Sequence, residues 1–356
     1  MINNKELELN NINSKSFNAI DVAKFICSIL VVMIHIPPFG KQTYPNILSY
    51  LNFLFQNGIC RIAVPLFFIF SGFFLYKKTP LNKFSIEPTK KYIFSILKLY
   101  LIWSVIYLPI SLNDLLVEHK NFSTIILIYI RDFFLTGSYI HLWYLNALWV
   151  AVLITSFLLY KKFSPKKILV ISFMCCIVGL LGSGYWGFIT PLYSIPIIGK
   201  LIEMYFYIFS VTRNGLLFGF FFVALGMYLS DKKINISSNK LLIFFIISTI
   251  LMCVETILLK TFNIARTYDI LIFSIPASLF CFLFLVSVKL KDKPIYAKLR
   301  ELSSLIYYLH YLILMSSVAI NESLKNSKIL FLIILFITII VSLIIIKLNK
   351  KKIKFY

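Results

Sequence analysis

The chain places two ionisable residues, Lys24 and His35, inside the apolar run Asp21-Val-Ala-Lys-Phe-Ile-Cys-Ser-Ile-Leu-Val-Val-Met-Ile-His35-Ile-Pro-Pro-Phe39. Ten residues lie between them. On a helix they therefore differ by roughly 20° in azimuth and stand about 16 Å apart along one stripe. Asp21, three residues before Lys24, is spaced for an i,i+3 ion pair that lowers the cost of a lysine near the start of the run. Pro37 and Pro38 stop the helix just past the histidine. Ionisable groups in an apolar helix are costly and usually face a bundle interior or a water-filled cavity, so each is a functional candidate. Imidazole titrates near neutral pH, and the chemistry this stripe suggests is proton transfer.

Further polar groups gather at the level of His35 if the N-terminus is cytoplasmic. His35 ends an outward-going first span and Arg61 begins the second. His141, followed by Trp143 and Tyr144, opens the fourth, and Arg213 with Asn214 opens the sixth. Glu255 lies in the outer part of the seventh and Asp269 opens the eighth. These groups are placed to face a common outer cavity, with Lys24 at the opposite end. Arg61, Arg213, His141 and Asp269 also suit interfacial anchoring, and Glu255 suits a structural pair with Arg61 or Arg213. His310, mid-span in Ser303-Ser-Leu-Ile-Tyr-Tyr-Leu-His-Tyr, is expected either at the site or bonded to a neighbouring helix. No nucleophile motif, P-loop, dinucleotide glycine pattern or His/Cys metal set is present, which leaves acid–base chemistry without a metal.

The elements that position these residues follow from composition. The chain has 356 residues, 60% hydrophobic, 17% aromatic and 14% charged, with a mean hydropathy of +0.87, the profile of an all-α polytopic membrane protein. The net charge of +22 comes in short clusters between apolar runs, a pattern that sets membrane topology rather than one that binds nucleic acid. The six cysteines sit in or beside apolar runs without metal-type spacing and read as free thiols. Spans of roughly 20 apolar residues are expected at 18–37, 58–76, 92–112, 141–160, 167–183, 212–230, 240–259, 269–288, 302–321 and 328–347. With both termini cytoplasmic, the inner segments hold 24 Lys/Arg and the outer segments 8, the asymmetry that orients membrane proteins. Nothing divides the chain, so residues 1–356 read as one transmembrane domain with a cytoplasmic tail at 1–17 and an uncleaved first span. Of the two long outer connections, 113–140 and 184–211, the second is too broken by Gly and Pro for a clean span. It fits a re-entrant element or an aromatic-rich interfacial loop.

The combination of Asp21, Lys24 and His35 with Arg61-Ile-Ala-Val-Pro-Leu-Phe-Phe-Ile-Phe-Ser-Gly-Phe-Phe-Leu75, His141-Leu-Trp-Tyr-Leu145, Thr212-Arg-Asn-Gly-Leu-Leu-Phe-Gly219 and Ser304-Leu-Ile-Tyr-Tyr-Leu-His310 resembles the acyltransferase family 3 membrane proteins over most of the chain. Within that family the Arg-Ile-Ala-Val-Pro and His-Leu-Trp-Tyr-Leu blocks resemble the branch that includes the membrane half of the vancomycin-resistance serine racemase. The resemblance implies about ten spans and transfer of an acyl group, usually acetyl from acetyl-CoA, to a hydroxyl of a cell-envelope or exported polysaccharide or glycolipid. The family hallmark is an Arg, ten residues, then a His in the first span. Here Lys24 stands in the place of the Arg, keeping the charge but not the bidentate fork.

On that reading His35 is the general base or first acyl acceptor, Glu255 orients its imidazole, and Arg61 or Arg213 stabilises the oxyanion. Lys24 draws in the anionic donor, and His141, Trp143 and Tyr144 meet the acceptor, the two aromatic rings by stacking on a sugar. Acyl-CoA is a substrate and no cofactor is tightly bound. The expected partners are membrane lipid, a carbohydrate or glycolipid acceptor, and a separate extracytoplasmic transferase or export protein, with no nucleic acid. The alternative is a membrane transporter for a small substrate such as an amino acid. Transporters usually carry repeat symmetry and paired broken helices, whereas this sequence has one broken segment and no repeat.

Overall fold

The structure, a computed structural model, describes residues 17–42, 45–79, 81, 84–118 and 121–349. Apart from Phe17, the expected N-terminal tail lies outside the described residues. Thirteen α-helices follow in order among them: α1 (Asn18–His35), α2 (Ile47–Asn57), α3 (Ala63–Lys77), α4 (Glu87–Glu118), α5 (Phe122–Leu135), α6 (Trp143–Tyr160), α7 (Pro165–Leu181), α8 (Pro196–Phe209), α9 (Phe220–Leu229), α10 (Ser238–Thr261), α11 (Ser274–Ser287), α12 (Ile295–Ile320) and α13 (Leu330–Leu348). No strand occurs among the described residues, and the fold is that of a polytopic helical membrane protein. Among the described residues seven segments are long and apolar enough to cross a bilayer: α1, Ile47–Lys77, α4, α6, α10, α12 and α13. The expected spans at 167–183, 212–230 and 269–288 are the shorter apolar helices Pro165–Leu181, Gly215–Leu229 and Ser274–Ser287. Among the described residues, length and apolarity alone therefore mark seven spans, or eight if the bent pair Pro165–Leu181 and Trp186–Ser194 is one span.

Three helices appear that a 20-residue apolar window passes over: α2, α5 and α8, with 11, 14 and 14 residues. They all belong to connections at the His35 end. In the broken segment 184–211 the chain turns through 86° after α7 into Trp186–Ser194, then runs into α8, with Pro196 at its first turn, where a missing N–H costs nothing. Arg266 holds the segment down, its guanidinium 3.6 Å from the Phe206 ring centre and 5.3 Å from that of Trp186.

The centre of the bundle is the close pair α3 and α9, flanked by α1, α6, α7 and α11. Gly72 on α3 lies against Val223, and Gly226 on α9 lies against Ile69, so that a Cβ at either position would strike a backbone oxygen of the facing helix. Small residues let membrane helices approach by van der Waals contact where no hydrophobic drive exists between helix and lipid. Phe68, Phe70, Phe220 and Phe222, each 1% exposed or less, fill the space around that contact. α1 packs in turn against α3 and α12, which brings its polar stripe into the bundle.

Candidate active site

α1 ends where its sequence says it should. Ile36 adopts an extended conformation at the C-cap, as a residue ahead of a proline must, and His35 is the last helical residue. α2 secures this end. Gln56 donates to the carbonyl of Ile34 at 3.1 Å, satisfying one of the orphan acceptors at the helix terminus. Asn52 accepts from Phe39 N–H at 3.0 Å and donates to Gly40 O at 2.8 Å.

Around His35 the structure brings together Arg61, Arg213, Trp143 and Asp269. With Ile34, Val64 and Phe218 they line a cavity of about 30 Å³. Asp269 Oδ1 accepts from both guanidinium groups, from Arg61 Nη1 at 2.5 Å and Arg213 Nη1 at 3.0 Å. Arg61 also donates to Asn57 Oδ1 at 2.9 Å, and Arg213 lies over the Trp143 ring at 5.3 Å. Two cations against one carboxylate leave a net positive charge beside the imidazole. Fixed positive charge in a water-poor site is suited to stabilising a developing oxyanion. Arg213 is held by local structure: Asn214 caps the π-helical turn Gly215–Gly219 by accepting from Leu216 N and Leu217 N, and donates to Tyr205 Oη.

Glu255 is placed differently from the expectation. Its Oε1 accepts from Tyr185 Oη and Ile272 N, both at 2.7 Å, and its Oε2 accepts from Phe273 N at 2.9 Å. Both oxygens are occupied in clamping α10 to the start of α11 and to the broken segment, so Glu255 neither pairs with an arginine nor reaches His35. The carboxylate of the site is Asp269.

His141 and Tyr144 also depart from an acceptor-facing position. His141 is 1% exposed and enclosed by rings of Tyr107, Tyr139, Tyr307, His310 and Tyr311 at 4.6–5.9 Å. Tyr144 packs on Phe67 and Phe68, and its hydroxyl approaches Ser71 Oγ at 3.4 Å. Trp143 does face a groove, of about 280 Å³, bounded by α4, α5, the turn at 136–140 and the segment 210–213. Asp114, Tyr129, Arg131, Asp132 and Tyr139 supply its polar and aromatic walls, and Trp143 and Arg213 belong to both this groove and the His35 cavity. Gly137, at φ +103° and with no room for a Cβ against the Trp143 backbone, makes the tight turn that sets Trp143 between them.

At the other end of the α1 stripe Lys24 lines the largest cavity described, about 770 Å³, between α1, α3, α4 and α12. Its walls carry Lys24, Lys78, Lys91 and Arg300 together with Phe67, Phe70, Phe74, Ser71, Tyr92 and Ser95. Asp21 meets Lys24 at 3.8 Å and Arg300 at 3.3 Å, and Lys24 lies 5.0 Å from the Phe74 ring centre. The i,i+3 pair read from sequence is thus present, with Arg300 as a third member. A basic rim over an aromatic interior matches an anionic ligand with an organic arm.

Two groups near His35 were not assigned roles by spacing. His310 is fully buried, with its ring 5.4 Å from that of His35 and 5.2 Å from that of His141. Tyr311 sets its ring edge-on to His35 at 5.3 Å. The signal was the polar residue in mid-span; its neighbours depend on how α12 packs on α1. Among the described residues no His, Cys, Asp or Glu group is arranged to hold a metal ion.

Residues 17–347 match the model of the acyltransferase 3 domain family. An amino-acid racemase of Enterococcus faecalis is 29% identical over 344 residues, covering 94% of this chain and 46% of the relative. A serine/alanine racemase of Enterococcus gallinarum is 28% identical over 338 residues, covering 90% of this chain and 44% of the relative. The chain therefore spans about half the length of these curated relatives. No solved structure matches it significantly. The family match extends over nearly all of the described chain and takes in every residue of both cavities and the groove, and the protein belongs to the membrane acyltransferase family 3.

Proposed function

We propose that the protein carries an acyl group from acyl-CoA, bound in the Lys24 cavity, to a hydroxyl of an envelope carbohydrate or glycolipid bound in the groove beside Trp143. The observation that supports this most is the α1 stripe, which sets Lys24 in a basic cavity and His35 in the arginine-lined one. The Lys/Arg bias makes the Lys24 end cytoplasmic, where acyl-CoA is available. The phosphates then meet Lys24, Lys78, Lys91 and Arg300 while the pantetheine arm runs along α3 past Ser71 and Phe67 toward Val64. The alcohol is a weak nucleophile at neutral pH. His35 removes its proton as the oxygen attacks the thioester carbonyl, and Arg61 and Arg213 meet the oxyanion. When the C–S bond breaks, the imidazolium returns the proton to the leaving thiolate. A space of about 30 Å³ at His35 holds about one small group, which favours acetyl over longer chains. The groove's hydroxyls, carboxylates and aromatic rings suit a hydroxyl-rich acceptor.

Proteoliposomes given labelled acetyl-CoA at the Lys24 face and a lipid and glycan extract of the host envelope at the other are expected to release free coenzyme A and label the extract. Accumulation of unmodified solute without release of coenzyme A would instead identify a carrier. Lys24→Met is expected to raise the KM for acyl-CoA several-fold with kcat little changed, while Lys24→Arg keeps most of the affinity because both residues supply the charge. Unchanged donor kinetics in Lys24→Met would confine the lysine to its pairing with Asp21.

A further inference from the structure

Among the described residues His35 has no partner of the kind that a working imidazole normally has. A general-base histidine is usually oriented by a hydrogen bond to its second nitrogen, which fixes the tautomer and stabilises the imidazolium. Among the described residues no carboxylate forms an ion pair with His35: Asp269 is taken by two arginines, and both Glu255 oxygens are occupied elsewhere. The ring beside it is that of His310. His310 Nδ1 lies 3.0 Å from the carbonyl of Ile306 and 2.9 Å from that of Tyr307. Both are acceptors, so Nδ1 carries the proton and Nε2 is an acceptor. That Nε2 is buried and has no hydrogen-bond partner among the described residues. An unmet buried acceptor is destabilising, and one fixed in this tautomer in a protein core calls for a reason. His141 is a weaker candidate, since neither of its ring nitrogens is tied and nothing selects its tautomer.

Resting on the acyl-transfer reading, we infer that His310 is the positioning residue for His35: its Nε2 accepts the N–H of His35 when substrates are bound. Catalytic hydrogen bonds are often long in the free enzyme and tighten in the loaded complex, and 5.4 Å between ring centres is short enough for such closure. The step balances without net proton transfer to His310. The alcohol proton moves to the cavity-facing nitrogen of His35, the new C–O bond forms, the C–S bond breaks, and the same proton leaves with the thiol. Throughout, His310 accepts one hydrogen bond that strengthens while His35 is cationic.

Two variants test this on the 356-residue chain in proteoliposomes, with labelled acetyl-CoA and the envelope extract. His310→Phe keeps the ring and removes the acceptor. It is expected to lower kcat by roughly 10- to 100-fold, the range for losing an outer partner of a working group, with the KM for acetyl-CoA unchanged. His310→Gln places an amide oxygen near the position of Nε2 and is expected to recover most of the loss. Full activity in His310→Phe would overturn the inference by showing that the site needs only volume there. A Gln variant as inactive as the Phe variant would overturn it by making His310 itself the base or acyl acceptor. No turnover by the parent protein would defeat the acyl-transfer reading and the inference with it, whereas an active parent with either of the other two results defeats the inference alone.

Discussion

His35→Ala protein is expected to insert in the membrane and bind acyl-CoA normally yet transfer no measurable acyl group. The imidazole lines the cavity shared with both arginines, whereas the Lys24 cavity, the proposed donor site, is lined by other residues of α1, α3, α4 and α12, so removing His35 is expected to leave donor binding intact. Loss of a general base costs about 10²–10⁴ in rate. His35→Gln, which preserves size and polarity, should be equally inactive because an amide takes no proton near neutral pH. Single-turnover release of coenzyme A, measured beside equilibrium binding of acyl-CoA, separates chemistry from binding. Transfer within a few-fold of the parent in either variant would exclude His35 as the base.

Asp269→Ala is expected to damage assembly as well as activity. Among the described residues Asp269 is the one acceptor that binds both Arg61 and Arg213, and the three side chains are only 10–24% exposed. Removing one partner of a buried pair and stranding the opposite charge costs about 3–5 kcal/mol, and here two cations are stranded together. Lower yield of folded protein and a reduced unfolding temperature in detergent should accompany loss of turnover. Asp269→Asn retains an acceptor without the charge and should fold better than the alanine variant while remaining slow, because the Arg61 and Arg213 side chains then repel each other across the cavity. An alanine variant of parental stability would show that water or lipid headgroups satisfy the guanidinium groups.

What the sequence revealed follows the range of the interactions involved. The stripe of Lys24 and His35, the ion pair with Asp21 and the stop at Pro37 are local consequences of helical period and proline sterics, and all were readable. Arg61 and Arg213 were visible as charges at the ends of apolar runs. Which carboxylate they meet was not, since Glu255 and Asp269 both lie near that level and only the path of the α10–α11 connection separates them. The same holds for His310, whose partner depends on α12 packing against α1. The helices α2, α5 and α8 were missed because 11 to 14 residues are too few for a spanning pattern, although two of them help shape the site. α2 caps α1, and α5 forms one wall of the groove.

The Lys24 cavity and the His35 cavity are separate spaces in the structure, although only one helical turn of α3, from Phe67 to Val64, divides their linings. The rings of Phe67, Phe68 and Tyr144 stand together at that level, with centroids 4.8–6.0 Å apart where they meet Tyr144. Cells store energy as an ion gradient across the membrane this protein sits in, and an open water column through it would short-circuit that gradient. The proposed reaction, with one substrate drawn from each side, therefore requires insulation at the middle of the protein. The three rings form an aromatic plug at that level, which on the proposed reaction the arm of acyl-CoA displaces and a hydrated ion does not.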